Sequence, residues 1–159
     1  MAAATPAVQV LAKAGTPYTL HEYAHGDAGP GFGVQAAVAL GVDPARLFKT
    51  LVVDAAGRLA VAVVPVAGML DLKAMGAALN VKTVRMAEPE AAERATGYVV
   101  GGISPLGQRK RFVTVIDETA NGWPTIYVSA GKRGLQVQLS PADLVALTGA
   151  TLATIGRST

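Results

Sequence analysis

The side chains that carry most enzyme chemistry are scarce in this chain, which has no cysteine and two histidines. Without cysteine there is no protein thiol nucleophile, no disulfide and no thiolate zinc site. Both histidines fall in one segment, His21-Glu22-Tyr23-Ala24-His25, which spells H-E-x-x-H. That pattern holds zinc when it lies on a helix, where the two imidazoles share a face and the glutamate stands beside the metal-bound water. Here it continues an alternating, strand-like run and ends on Gly26. On a strand the two histidines would stand ~13 Å apart from the rise alone, too far to share one ion. With both histidines in one segment, a Ser-His-Asp triad is equally hard to assemble.

Ser129-Ala130-Gly131-Lys132 spells the S-x-x-K of serine–lysine acylases, in which the motif opens a helix and the lysine lies under the serine. Gly131 and Gly134 oppose a helix here, and the segment reads as a turn between two strands. Gly29, Gly31 and Gly33 lack the preceding strand and the spacing of a dinucleotide-binding loop. No metal and no cofactor are therefore expected. An enzyme built from these residues must work through a lysine, through backbone donors, or through a reactive group of its substrate.

The scaffold that would position such groups is one domain over residues 1–159. Hydrophobic residues make up 51% and charged residues 16%, enough for a real core and too little charge for disorder. With 5% aromatics, that core must be packed from many small side chains, chiefly Ala and Val. Lys and Arg exceed Asp and Glu by 14 to 11, for a net charge of +3. This balance permits contact with an RNA end without requiring it. The densest basic cluster is Arg109-Lys110-Arg111, followed later by Lys132-Arg133, and both read equally well as solvated loop ends. Met1 to Ala4 has neither a basic region nor a long apolar stretch, and no apolar run approaches the ~20 residues of a spanning helix. A cytoplasmic protein without a membrane partner is expected.

Along the chain, Thr5-Pro6 caps and opens a helix that Gly15 ends. Tyr18 to Tyr23 alternates as a strand, and Ala24 to Gly33 is a loop rich in glycine. A helix follows over Val34 to Leu40, then a turn at Asp43-Pro44. Leu51 to Asp54 and Leu59 to Pro65 form a hairpin around Ala55-Ala56-Gly57. Helices are predicted from Asp71 to Leu79, after Glu88-Pro89 up to Gly97, and after Ser140-Pro141 up to Thr148. Val81 to Arg85, Phe112 to Asp117, Thr125 to Ser129, Leu135 to Leu139 and Thr151 to Ile155 read as strands. Strands arrive in hairpins as well as after helices, so the class is α+β with a mixed, largely antiparallel sheet.

Three stretches carry a resemblance. They are Leu47-Phe48-Lys49-Thr50-Leu51-Val52-Val53, the run from Thr96-Gly97-Tyr98 through Gly101-Gly102-Ile103-Ser104-Pro105-Leu106-Gly107-Gln108, and Tyr127-Val128-Ser129-Ala130-Gly131-Lys132-Arg133-Gly134-Leu135. Together with Pro65-Val66 and Leu70-Asp71-Leu72-Lys73, the chain resembles the YbaK/EbsC family of aminoacyl-tRNA deacylases from about Thr5 to Ile155. The resemblance implies a sheet closed into a barrel-like core with helices around it. It also implies trans-editing, the hydrolysis of a wrongly attached amino acid from tRNA beside a synthetase. The second and third stretches look like the branch that removes cysteine from tRNA for proline, in which the substrate thiol attacks its own ester.

Carried over by position, the resemblance makes Lys49 the essential lysine and gives Gly101 and Gly102 to the catalytic loop. Tyr23, Thr50, Ser104, Pro105 and Ser129 become substrate-binding residues. The implied partners are the 3′ aminoacyl end of mischarged tRNA and prolyl-tRNA synthetase. The chain departs from many relatives at Gly31-Phe32-Gly33 and Gln35, which bears on loop contacts and not on the lysine. Asp71, Lys73 and Asp117 read as structural. Two other readings stay open from sequence: a deacylase for another small amino acid, and a non-catalytic tRNA- or synthetase-binding module.

Overall fold

The structure is a computed structural model that describes residues 5–26 and 31–158. Gly29 and Pro30 of the predicted glycine-rich loop lie outside the described residues. Helix α1 (Pro6–Ala14) is capped by the Thr5 side chain on Val8 N–H and ended by Gly15 in the left-handed region. Strand β1 (Thr19–Glu22) and helix α2 (Phe32–Leu40) follow. The central hairpin is β2 (Phe48–Ala55) with β3 (Arg58–Pro65), turned at Ala56-Gly57, where both residues have positive φ. That is the geometry of a tight two-residue hairpin turn matched to strand twist.

A short strand β4 (Gly68–Leu70) leads to α3 (Leu72–Leu79), whose first turn is capped by Asp71 on Ala74 N–H. Next come β5 (Val84–Met86), α4 (Pro89–Thr96) and β6 (Thr114–Asp117). A 3₁₀ turn over Glu118–Gly122 precedes β7 (Ile126–Lys132) and β8 (Leu135–Leu139). Helix α5 (Pro141–Thr148) and strands β9 (Thr151–Ala153) and β10 (Gly156–Ser158) complete the described chain. The sequence did not signal β4, β10 or the 3₁₀ turn, which are short enough to be set by tertiary pairing rather than by pattern.

The strands form ladders ordered β5-β2-β3-β6-β9, β1-β8-β7 and β10-β4. Among the strand pairs, only β3–β6 and β6–β9 are parallel, and the isolated Leu47–Tyr127 bridge is parallel too, so the mixed, largely antiparallel α+β reading holds. Closure into a barrel is not found among the described residues: the three ladders stay separate, and an isolated bridge between Leu47 and Tyr127 links the five-stranded ladder to the three-stranded one. The reason is visible on β2. Strand β5 covers only Val53 to Ala55, so the Phe48 to Val52 end of β2 keeps an open edge. Ala87 N–H donates to Val52 C=O, which shows that the backbone of even-numbered β2 residues, Thr50 included, turns toward that edge.

The predicted turn at Ser129 to Lys132 is instead the end of β7. The register shifts between Ser129 and Lys132, with Gly131 at φ 106°, so a bulge keeps the ladder running to Arg133-Gly134. The core has two main parts, one on each side of the central ladder, and a smaller cluster of Ala36, Ala37, Leu47, Val66 and Tyr127. One main part includes Phe48, Val52, Ile116, Ile126 and Leu144; the other includes Val53, Leu70, Met75 and Ile155.

Candidate active site

The open edge of β2 borders a cavity of about 270 Å³. Adjacent strand residues point to opposite faces, yet this cavity wraps the edge and meets both. Phe48, Thr50 and Val52 contribute from one face, Lys49 and Leu51 from the other. Met86 at the end of β5, Ala87 after it, Ala92 on α4, and Val100 and Gly101 in the following loop extend the wall. Ser129 and Gln136, directly paired across β7 and β8, close it.

Lys49 is the cation of this cavity. Its ammonium donates to Gly68 C=O at 3.0 Å, and partial burial holds its pKa below the ordinary lysine value. The charge is thus poorly hydrated, which strengthens its pull on any negative charge developing nearby. Two other polar groups have no protein partner: Thr50 Oγ1 and Gln136 Oε1 are buried and unbonded among the described residues. A buried polar atom left unmatched costs about 1–3 kcal/mol. Both residues line the wall of this cavity.

The loop after α4 is built by close approach. Gly101 has φ 90°, and an added Cβ would fall 2.4 Å from Phe32 Cδ2 on α2. The Phe32 ring also lies under the Arg133 guanidinium at 4.3 Å, and Arg133 Nε donates to Val100 C=O. Gly102 abuts the backbone of Lys132 and Arg133, where a Cβ would come within 2.8 Å of the Lys132 Cα. Its N–H donates to Val99 C=O. Gly101 therefore borders the cavity, whereas Gly102 is spent on positioning the loop against β7.

The residues drawn from sequence separate accordingly. Lys49, Thr50, Gly101 and Ser129 meet at the cavity. Ser104 does not: it is fully buried, with Oγ accepting from Leu106 N–H and its carbonyl accepting from Gln108 Nε2. Pro105 borders a different concavity beside α1 and α5. Tyr23 packs against the cluster that contains Ala36, Leu47 and Tyr127, and its N–H donates to Gly134 C=O. Sequence reasoning missed Phe32 as a site residue, and Gln136 altogether. Alternation along β8 could place Gln136 opposite the core residues Leu135 and Val137, but only the β7 register sets it beside Ser129.

His21 lies on β1, where its Nε2 bonds Gln138 Oε1 at 2.9 Å and its ring packs on Tyr127. The H-E-x-x-H segment is thus strand and loop rather than helix, and the zincin arrangement is not formed. No cluster of three His, Asp or Glu suited to a metal occurs among the described residues. No helix among them is long and apolar enough to cross a membrane.

The site thus sets one half-buried lysine at an open strand edge of a mixed α+β fold. Residues 33–147 match the model of the aminoacyl-tRNA editing domain. A protein of Enterococcus faecalis named as a candidate Cys-tRNA(Pro)/Cys-tRNA(Cys) deacylase, EbsC, is 38% identical over 95% of this chain and 92% of its own length. The chain belongs to the aminoacyl-tRNA editing domain family, and it is an enzyme that hydrolyses the ester of a mischarged aminoacyl-tRNA. Two crystal structures share the fold. One, of a hypothetical protein, has a TM-score of 0.85 and 27% identity, covering 96% of this chain and 99% of that one. The other, described as a candidate trans-editing enzyme for prolyl-tRNA synthetase, has a TM-score of 0.83 and 24% identity, covering 99% of this chain and 100% of that one.

Proposed function

We propose that the chain removes cysteine from Cys-tRNA(Pro), with Cys-tRNA(Cys) as a second substrate, and that the cysteine thiol is the nucleophile. The observation that carries this reading is the pair of unbonded buried polar atoms, Thr50 Oγ1 and Gln136 Oε1, on the same cavity as Lys49. The name of the Enterococcus faecalis relative supports the choice of amino acid and tRNA.

In this reading Thr50, Gln136 and Ser129 hold the amino and carbonyl groups of the cysteinyl ester. Lys49 stabilises negative charge on the thiol and on the carbonyl oxygen it attacks. A cysteine thiol has a reference pKa near 8.5, so about 3% is ionised at pH 7 without any base from the protein. The thiolate forms a bond to the ester carbon, the bond from that carbon to the ribose oxygen breaks, and the ribose oxygen takes a proton from water. The products are free tRNA and a cyclic thioester that water opens to cysteine, so the first step has the character of a lyase. Gly101 offers a backbone N–H to the oxyanion, a contribution of ~3 kcal/mol for one well-placed donor. Ser104, Pro105, Gly102 and Tyr23 support the pocket from outside it.

The site of action is the cytoplasm, beside prolyl-tRNA synthetase as the source of the mischarged tRNA. The test compares Cys-tRNA(Pro), Ala-tRNA(Pro) and Ser-tRNA(Pro) in a deacylation assay. Serine is close in size, but its hydroxyl is far less ionised, and its release should be at least ~100-fold slower. Similar rates for cysteine and serine would make water the nucleophile. Preferential release of alanine would reassign the substrate.

A further inference from the structure

The basic run Arg109-Lys110-Arg111 takes no part in the cavity. Arg109 and Lys110 lie on the far side of α4, where they border a concavity of about 550 Å³ together with Arg94 and Phe112. A second concavity of about 230 Å³ adjoins it, sharing Lys110 and Phe112 and adding Arg111. No carboxylate lines either one. Arg94, Lys110 and Arg109 are exposed, and among the described residues their side chains make no hydrogen bond or ion pair. The carboxylate of Glu93, next to Arg94, is turned away to accept from Val100 N–H.

Helix α4 connects the two sites. Pro89 and Ala92 face the catalytic cavity, while Ala91, Arg94 and Ala95 face the basic trough. At 3.6 residues per turn these two sets lie about 140° apart around the axis, so the sites are separated by roughly one helix diameter, ~10 Å. Three unpaired cations, a fourth (Arg111) that donates to Leu147 C=O, the half-buried Phe112 shared by both concavities, and no opposing acid are the composition of a site for single-stranded nucleic acid, where cations track phosphates and a ring stacks a base.

We propose that this trough binds the single-stranded 3′ end of tRNA, with its phosphates on Arg94, Lys110 and Arg109 and a base on Phe112. The inference rests on the aminoacyl-tRNA reading of the cavity and extends it to the RNA that leads into the cavity. It gives the basic run a role distinct from that of Arg133, which is committed to Phe32 and Val100 at the cavity mouth.

The test uses the full chain and the double variant R94Q/K110Q, both positions being exposed. For Cys-tRNA(Pro), KM should rise about tenfold with kcat unchanged, and the slope of log KM against log salt should fall by about 1.4, or 0.7 for each lost phosphate contact. The charge-keeping variant R94K/K110R should retain most of the affinity. A second arm needs no catalysis: fluorescence anisotropy with an uncharged RNA oligonucleotide ending in CCA should show the same loss and the same change of slope. Oligonucleotide binding and salt slope unchanged in R94Q/K110Q would overturn the trough. Failure of the unsubstituted protein to release cysteine would overturn the functional reading instead, and the oligonucleotide arm would still decide the trough.

Discussion

Two buried polar groups of this fold are treated in opposite ways. Asp117, at the end of β6, is 3% exposed, and its carboxylate accepts from the backbone N–H groups of Thr119, Ile155 and Gly156 and from the Thr119 hydroxyl. Gln136 is 5% exposed, and its side-chain oxygen accepts from nothing among the described residues. Both atoms were removed from water, but only one was repaid with bonds inside the fold. A fully bonded buried carboxylate is a structural joint, here tying β6 to the β9–β10 turn. An unbonded amide oxygen beside Thr50 and a half-buried lysine lowers stability, and that cost makes sense if a ligand completes it. Substitutions at the joint should therefore change stability, and those at the cavity should change activity.

The sharpest division is expected at Lys49. Lys49→Ala should slow cysteine release at least ~100-fold, equal to ~2.7 kcal/mol in the barrier, while the melting temperature stays near that of the parent. A near-normal rate in this variant would remove Lys49 from the mechanism. At the joint the expectation reverses. Asp117→Ala leaves the buried Ile155 N–H and the part-buried N–H groups of Gly156 and Thr119 without their acceptor and should cost about 3 kcal/mol, lowering Tm by roughly 6–12 °C in a chain of this size. Its kcat at low temperature should be close to that of the parent.

Gln136→Leu should slow release about tenfold while leaving denaturant stability equal or up to ~1 kcal/mol higher, because it removes an unmatched buried oxygen. A clear loss of stability in this variant would mean that the oxygen is bonded in solution, and the comparison would fail.

The smallest effect concerns Tyr98, whose hydroxyl donates to Leu106 C=O at 2.6 Å and whose pKa is pushed up to about 12, chiefly by burial. The folded state keeps this proton when the unfolded chain, near pH 10, has lost it. Its contribution to stability is thus complete below pH 10 and disappears as pH rises toward 12. Tyr98→Phe should cost about 1 kcal/mol at neutral pH and should flatten that alkaline decline, as read by urea unfolding at several pH values.

The sequence by itself determined most of the elements and the family. Helix ends are written locally, in Thr5, Asp71 and Ser140 as caps and in Gly15, Gly41 and Gly149 as left-handed stops, because capping needs only neighbours a few residues away. Alternation made the strands legible, and the Phe48-Lys49-Thr50 and Gly101-to-Gln108 stretches pointed to the chemistry. Tertiary structure alone decided which parts of those stretches form the cavity. Ser104 and Pro105 share a segment with Gly101 and yet face elsewhere, since the chain turns sharply after the close contact of Gly101 with Phe32. Gln136 entered the site through a cross-strand register, and register depends on which strands meet, not on what either one spells. The open edge of β2 has the same origin, because the short β5 pairs with only three of its residues and leaves Thr50 and Lys49 lining the cavity.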